Sequence, residues 1–155
     1  MSLKRSQIRM TAEEREAFLD RSRVLYLASH GADGFPHLVA MWFVRDGARI
    51  LMTTYRKSAK VANLLADPRS AILFEEGTAY NTLRGAFLRG RCTVIDHEET
   101  TLRTLEGIRL RSEEAGQASP AVLAGMQAQA QKRVVLAFEV EKTRTWDHAK
   151  LGGLY

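Results

Sequence analysis

Residues 50–74 read ILMTTYRKSAKVANLLADPRSAILF, and the fold is read outward from them. An apolar run enters, a short basic segment interrupts it, a helix-forming stretch runs to Ala66 and stops at Asp67-Pro68, and a second apolar run leaves. Ser58 stands where an N-cap belongs, because its hydroxyl can accept from a first-turn N–H. Arg56, Lys57 and Lys60 surround it. The positive end of a helix dipole repels cations, so this arrangement is unfavourable unless an anion sits among them. A phosphate would relieve the conflict, held by first-turn N–H groups, the Ser58 hydroxyl and the ammonium groups. The plainer alternative is a solvated run of charge, and no glycine-rich loop or GKS/GKT signature indicates a nucleoside triphosphate. Strand, turn, basic helix start and strand would hold a phosphate site on rigid elements, which a solvated run does not need.

With 155 residues and 45% hydrophobic content, the chain fits a single domain able to bury a core. The net charge of +5 suits anionic partners, but the basic residues are spread along the chain, which points to phosphate before nucleic acid. Cys92 is the only cysteine, excluding an internal disulfide and a thiolate metal cluster. It lies in an apolar-rich stretch and reads as packing and not as a nucleophile. No apolar run approaches the ~18 residues of a membrane span, and the N-terminal stretch lacks a signal-peptide core, so a cytoplasmic protein is expected.

Thr11-Ala12-Glu13-Glu14 is a capping box that predicts a helix from Ala12 to about Ser22. Strands are predicted over 24–29, 36–44 and 48–53, joined by turns at 31–34 and at Asp46-Gly47, as a three-stranded meander. The second, HLVAMWFV, is apolar on both parities, as expected of a strand covered on both faces. Further strands follow at 69–74, at 83–96 with Gly85 and Gly90 inside, and at 134–141 with clean alternation. Glycines within a strand indicate bulges that bend a sheet toward closure, or a close approach of ligand. Residues 98 to about 114 form a helix, with Leu102, Leu105 and Arg109 at helical spacing. Ser119-Pro120 opens another as N-cap and N1, so that a helical insertion occupies about 98–131. About six largely antiparallel strands with helices make a mainly β protein, a small barrel, with an open α+β sheet as the alternative.

No catalytic constellation is visible. There is no serine elbow, the 4 histidines lack metal-ligand spacing, and Glu75 and Glu76 point to opposite strand faces. A phosphate pocket without acid, base or nucleophile either simply binds or holds a cofactor that performs its own redox chemistry.

The segment TTYRKSAKVANLLADPRSAILF resembles the phosphate-binding signature of the pyridoxamine 5'-phosphate oxidase-like superfamily, the split-barrel flavin and deazaflavin proteins. The similarity extends through Leu83-Arg84-Gly85 and Gly90-Arg91 to Thr145-Trp146-Asp147-His148-x-Lys150-Leu151-Gly152-Gly153. It implies a six-stranded antiparallel split barrel of FMN-binding type, one domain over 1–155. It further implies that Ser58 and Lys60 hold the cofactor phosphate, helped by Thr53 and Thr54, with Lys57 or Arg56 adding charge. Leu38, Val39, Ala40, Met41 and Trp42 would run along the isoalloxazine ring, their backbone groups meeting its polar edge, with Met41 and Trp42 as apolar contact or core. Arg84 and Gly85 would approach from the partner subunit of a homodimer, and Trp146 would close the pocket or anchor the tail.

Two departures matter. Ala59-Lys60 stands where pyridoxamine phosphate oxidases carry Arg-Lys, and no Arg-x-His near the C-terminus can receive the substrate phosphate, so that specific oxidation is not expected. The resemblance implies an oxidoreductase using FMN, or alternatively the deazaflavin coenzyme F420, to move a hydride to or from a small organic substrate. The other reading is a flavin-binding carrier or stress-related protein without turnover. Neither a metal nor nucleic acid is expected, since no recognition helix or aromatic stacking platform appears.

Overall fold

The computed structural model describes residues 5–112 and 115–153. Helix α1 (Ala12–Arg21) is followed by strands β1 (Val24–His30), β2 (Pro36–Trp42), β3 (Val44–Asp46) and β4 (Arg49–Tyr55). Next come α2 (Ala59–Ala66), β5 (Arg69–Glu76) and β6 (Arg84–Ile95), then α3 (Glu98–Leu110), α4 (Pro120–Ala130) and β7 (Arg133–Asp147). All seven strands belong to one antiparallel sheet in the order β2-β1-β5-β6-β7-β4-β3. The expected end of the first long helix at Glu114 lies outside the described residues, and α3 ends at Leu110.

The count of seven and not six has a single origin. The predicted strand at 36–44 breaks at Phe43: β2 pairs with β1 at one edge of the sheet, whereas β3 pairs with β4 at the other. Two strands one residue apart in the chain therefore occupy opposite ends of the strand order, which is possible only if the sheet curls until its edges meet. Phe43 fills that corner, 1% exposed and edge-on to Phe74 at 5.1 Å. The expected meander is thus replaced by two hairpins joined at a corner. This is a split barrel decorated by helices.

Inside lie Leu25, Leu27, Ile72, Phe74, Leu88, Leu136 and Phe138, sealed by Phe18 and Leu19 of α1 and by Val61 and Leu64 of α2. The α1 capping box forms as expected, with Thr11 Oγ1 accepting from Glu14 N–H at 3.2 Å and Glu14 accepting from Thr11 N–H at 2.7 Å. Outside the barrel, Leu51, Val135 and Ala137 make a second cluster over which α3 lies, against β3, β4 and β7. Contact is made through its small residues: Thr101 and Thr104 are buried, and a Cβ on Gly107 would stand 3.1 Å from Val44 Cγ2. Leu102 and Leu105, placed at helical spacing by the sequence, are only half-buried.

Coverage on both faces therefore belongs to β4, buried from Ile50 through Thr54, and not to β2. In β2, Val39 and Met41 pack on the core while Leu38 and Trp42 are 66% and 69% exposed. Gly90 marks a bulge, since the β6–β7 register shifts between Arg89 and Gly90, and a Cβ there would lie 1.9 Å from the Glu139 carbonyl oxygen. The last strand is longer than its apolar alternation suggests, because its polar half to Asp147 pairs with β6 back to Arg84.

Candidate functional site

The turn from β4 into α2 builds the site. Ser58 N–H donates to the Tyr55 carbonyl at 3.0 Å, closing a tight turn, and Ser58 has the extended backbone of an N-cap. Its hydroxyl, however, makes no cap hydrogen bond and lies instead 3.3 Å from Thr54 Oγ1. Lys60 Nζ donates to the same Thr54 oxygen at 3.1 Å. Helix α2 carries no acid in its first turn, and its early N–H groups at Ala59 and Lys60 find no acceptor among the described residues.

Burial pushes the Lys60 ammonium below its ordinary value, and the positive charge of Arg133 adds to the effect. No carboxylate among the described residues pairs with Lys60. A half-buried cation, two hydroxyls and unspent N–H groups thus lie together at the start of α2 with no carboxylate among the described residues to pair with Lys60. The donor set fits a phosphate, as the cofactors implied by the resemblance require.

The two threonines separate. Thr54 shares the inward face of Ile50 and Met52, whereas strand alternation puts Thr53 with Leu51, under α3. Arg56 is also removed from the anion corner. Its guanidinium makes a two-pronged pair with Asp96 at 2.8 and 2.7 Å and donates to the Gln131 carbonyl at 2.9 Å, tying the turn to the end of β6. Of the crowded cations, one is therefore spent on the fold, Lys57 is exposed, and Lys60 reaches inward.

The remaining expected residues lie on other parts of the sheet. β2 is an edge strand, so one row of its backbone groups is outside any ladder. Leu38, Ala40 and Trp42 share its open face while Val39 and Met41 turn inward. Gly85 stands directly opposite Trp146 across β6 and β7. A Cβ there would come within 2.1 Å of the indole, so the glycine makes room for that ring, which is half-buried over it. Arg84 is held by Asp147 at 3.0 Å and by Glu76 at 3.7 Å.

Two features escaped the sequence reading. Arg133 lies beside the turn with its Nε buried and without a partner; a Lys-Arg pair immediately before the alternating strand was its only signal. His37 Nδ1 is likewise buried and unpartnered, next to buried Ser29, which accepts from Asn63 at 3.3 Å. Nothing local in the sequence distinguishes these polar residues from surface ones. Cys92 is buried and its thiol is pushed up to about 12 by desolvation, as befits a packing residue. The described residues contain no group of acids, histidines and cysteines able to hold a metal.

Residues 11–147 match the family described as pyridoxamine 5'-phosphate oxidase. The chain belongs to that family. No curated protein matches it. Among solved structures, the conserved hypothetical protein Rv2991 from Mycobacterium tuberculosis is 34% identical, with 99% of this chain and 95% of that one covered at a TM-score of 0.87. An F420 reductase is 24% identical over 83% of this chain and 94% of its own, at a TM-score of 0.64. HutZ, the heme storage protein from Vibrio cholerae, is 16% identical over 84% and 90%, at 0.66. The last two share the pyridoxamine 5'-phosphate oxidase-like fold and no more. No helix among the described residues is long and apolar enough to cross a membrane.

Proposed function

We propose that this protein is a flavin-dependent oxidoreductase, using FMN or alternatively the deazaflavin coenzyme F420, and working as a homodimer on a small organic substrate. The observation that carries the proposal is the Ser58 hydroxyl, which makes no cap bond to its helix and lies instead against Thr54, the residue that Lys60 also bonds. That choice forfeits a cap worth about 1 kcal/mol and leaves the helix start open to an anion. Bound there, the cofactor would supply the hydride chemistry, and this chain would supply binding, orientation and exclusion of water.

Ser58, Lys60 and the first-turn N–H groups would hold the phosphate. The open row of β2 backbone groups would meet the polar edge of the ring, and the apolar face of Leu38, Ala40 and Trp42 would shield it once a second copy covers that face. Without an Arg-x-His for a second phosphate, pyridoxamine phosphate is not the substrate we assign.

Titration with FMN and with riboflavin, which lacks the phosphate, tests the reading. Lys60→Ala should weaken FMN by about 1.5 to 3 kcal/mol, the worth of a charged hydrogen bond, and leave riboflavin nearly unchanged. Equal FMN affinity in the variant would remove the site. A carrier without turnover is the second reading, favoured because no carboxylate or imidazole among the described residues bonds to the Thr54–Ser58–Lys60 corner. Reoxidation of reduced cofactor by a broad panel of acceptors separates carrier from enzyme.

A further inference from the structure

At the β4–α2 turn, the Arg56 guanidinium is spent on the protein's own Asp96. Arg133 is different. It opens β7 directly opposite Tyr55, the residue whose carbonyl closes the turn onto Ser58. The adjoining backbone is stitched to the same turn by Arg56 N–H donating to the Lys132 carbonyl at 3.0 Å. The guanidinium carbon lies over the Tyr55 ring, 4.3 Å from its centre, within cation–π distance. No carboxylate among the described residues pairs with it, and its Nε is buried without an acceptor.

A buried guanidinium N–H without a partner is costly, and native proteins tolerate such a group chiefly where something outside the chain completes it. Its positive charge adds to the lowering of the Lys60 pKa, and no ion pair among the described residues neutralises either cation.

We infer that Arg133 is a further anion-binding residue of the β4–α2 corner, held by the Tyr55 ring to donate from its planar fork to the same phosphate that Lys60 and Ser58 receive. The inference rests on the phosphate site proposed above and deepens it. Arginine suits this task, because a stacked, planar fork loses little freedom on binding a phosphate and cannot be neutralised by burial. Tyr55 accordingly acts as a positioning residue, a large aromatic ring 56% exposed at the end of a strand whose middle is buried.

The ratio of FMN to riboflavin affinity, read by flavin fluorescence in wild type, Lys60→Ala, Arg133→Gln and Arg133→Lys, tests this. Wild type should prefer FMN, and Arg133→Gln should lower that preference by about tenfold or more with riboflavin affinity held within about twofold. Arg133→Lys should fall between, since it keeps the charge and loses the fork; it decides the matter if Arg133→Gln does not fold. A melting temperature raised by inorganic phosphate in wild type, and not in Arg133→Gln, would be the matching result without flavin. If Lys60→Ala loses the preference while folded Arg133 variants keep it, Arg133 has no such role and the site stands. If wild type shows neither a preference for FMN nor stabilisation by phosphate, the site itself falls, and Arg133 with it.

Discussion

At the scale of single residues, the decisive events are small displacements of charge and hydroxyl. Ser58 occupies the position that its sequence context predicts, yet spends its oxygen on Thr54, and Lys60 follows it inward at a cost visible in its lowered affinity for a proton. The sign of that shift makes a pH prediction. In the protein without ligand, the unfolded chain holds the Lys60 proton more tightly than the folded one. This group's contribution to stability therefore rises with pH across the window between its lowered value and the ordinary 10.5. A bound phosphate favours the charged form and reverses the shift. The preference for FMN over riboflavin should consequently climb as the phosphate gains its second charge near pH ~6, then fall in alkaline solution as Lys60 loses its proton. Isothermal titration across that range, repeated with Lys60→Ala, checks it: the alkaline fall should vanish in the variant.

At the scale of elements, two glycines in β6 do different jobs that their sequence context does not separate. Gly85 yields space to a side chain, the Trp146 indole, whereas Gly90 yields space to backbone, the Glu139 carbonyl at the bulge. A ring can swing aside and a bonded strand cannot. Gly90→Ala should therefore destabilise the fold by about 1–3 kcal/mol, read as a lowered urea midpoint, while Gly85→Ala should show a smaller loss of stability and a changed tryptophan emission. Helix punctuation was legible because it is local: the Thr11–Glu14 capping box spans four residues, and Asp67-Pro68 stops α2 in place. The polar half of β7 was not, because Glu141 to Thr145 carry no apolar alternation and are held as strand only by pairing with β6. The small face of α3 escaped for a similar reason, since Thr101, Thr104 and Gly107 announce no core until a sheet lies beneath them.

At the scale of the whole molecule, the corner at Phe43 turns two hairpins into a barrel and leaves β2 at an open edge with Leu38 and Trp42 largely exposed. A strand apolar on both parities was expected to be covered on both faces; within one chain Val39 and Met41 of β2 pack on the core and its other face stays open. The proposed homodimer would supply the missing cover, since exposed apolar residues grouped on one strand suit an association surface. Leu38→Glu and Trp42→Glu should each shift the protein toward monomer in sedimentation velocity and abolish ring binding. A dimer that survives both substitutions would show that this face is not the interface.

The chain's local punctuation, its strand alternation and the basic segment at 56–60 were readable directly, because capping, turn and periodicity depend on residues a few positions apart. Which cations remain available was not. Arg56 is neutralised by an aspartate 40 positions away, and Arg133 comes to the same turn only by pairing of β7 with β4. Charge in a sequence counts groups, but an anion site is made of the groups left unpaired after the strands have closed, and closure is a property of the folded barrel alone.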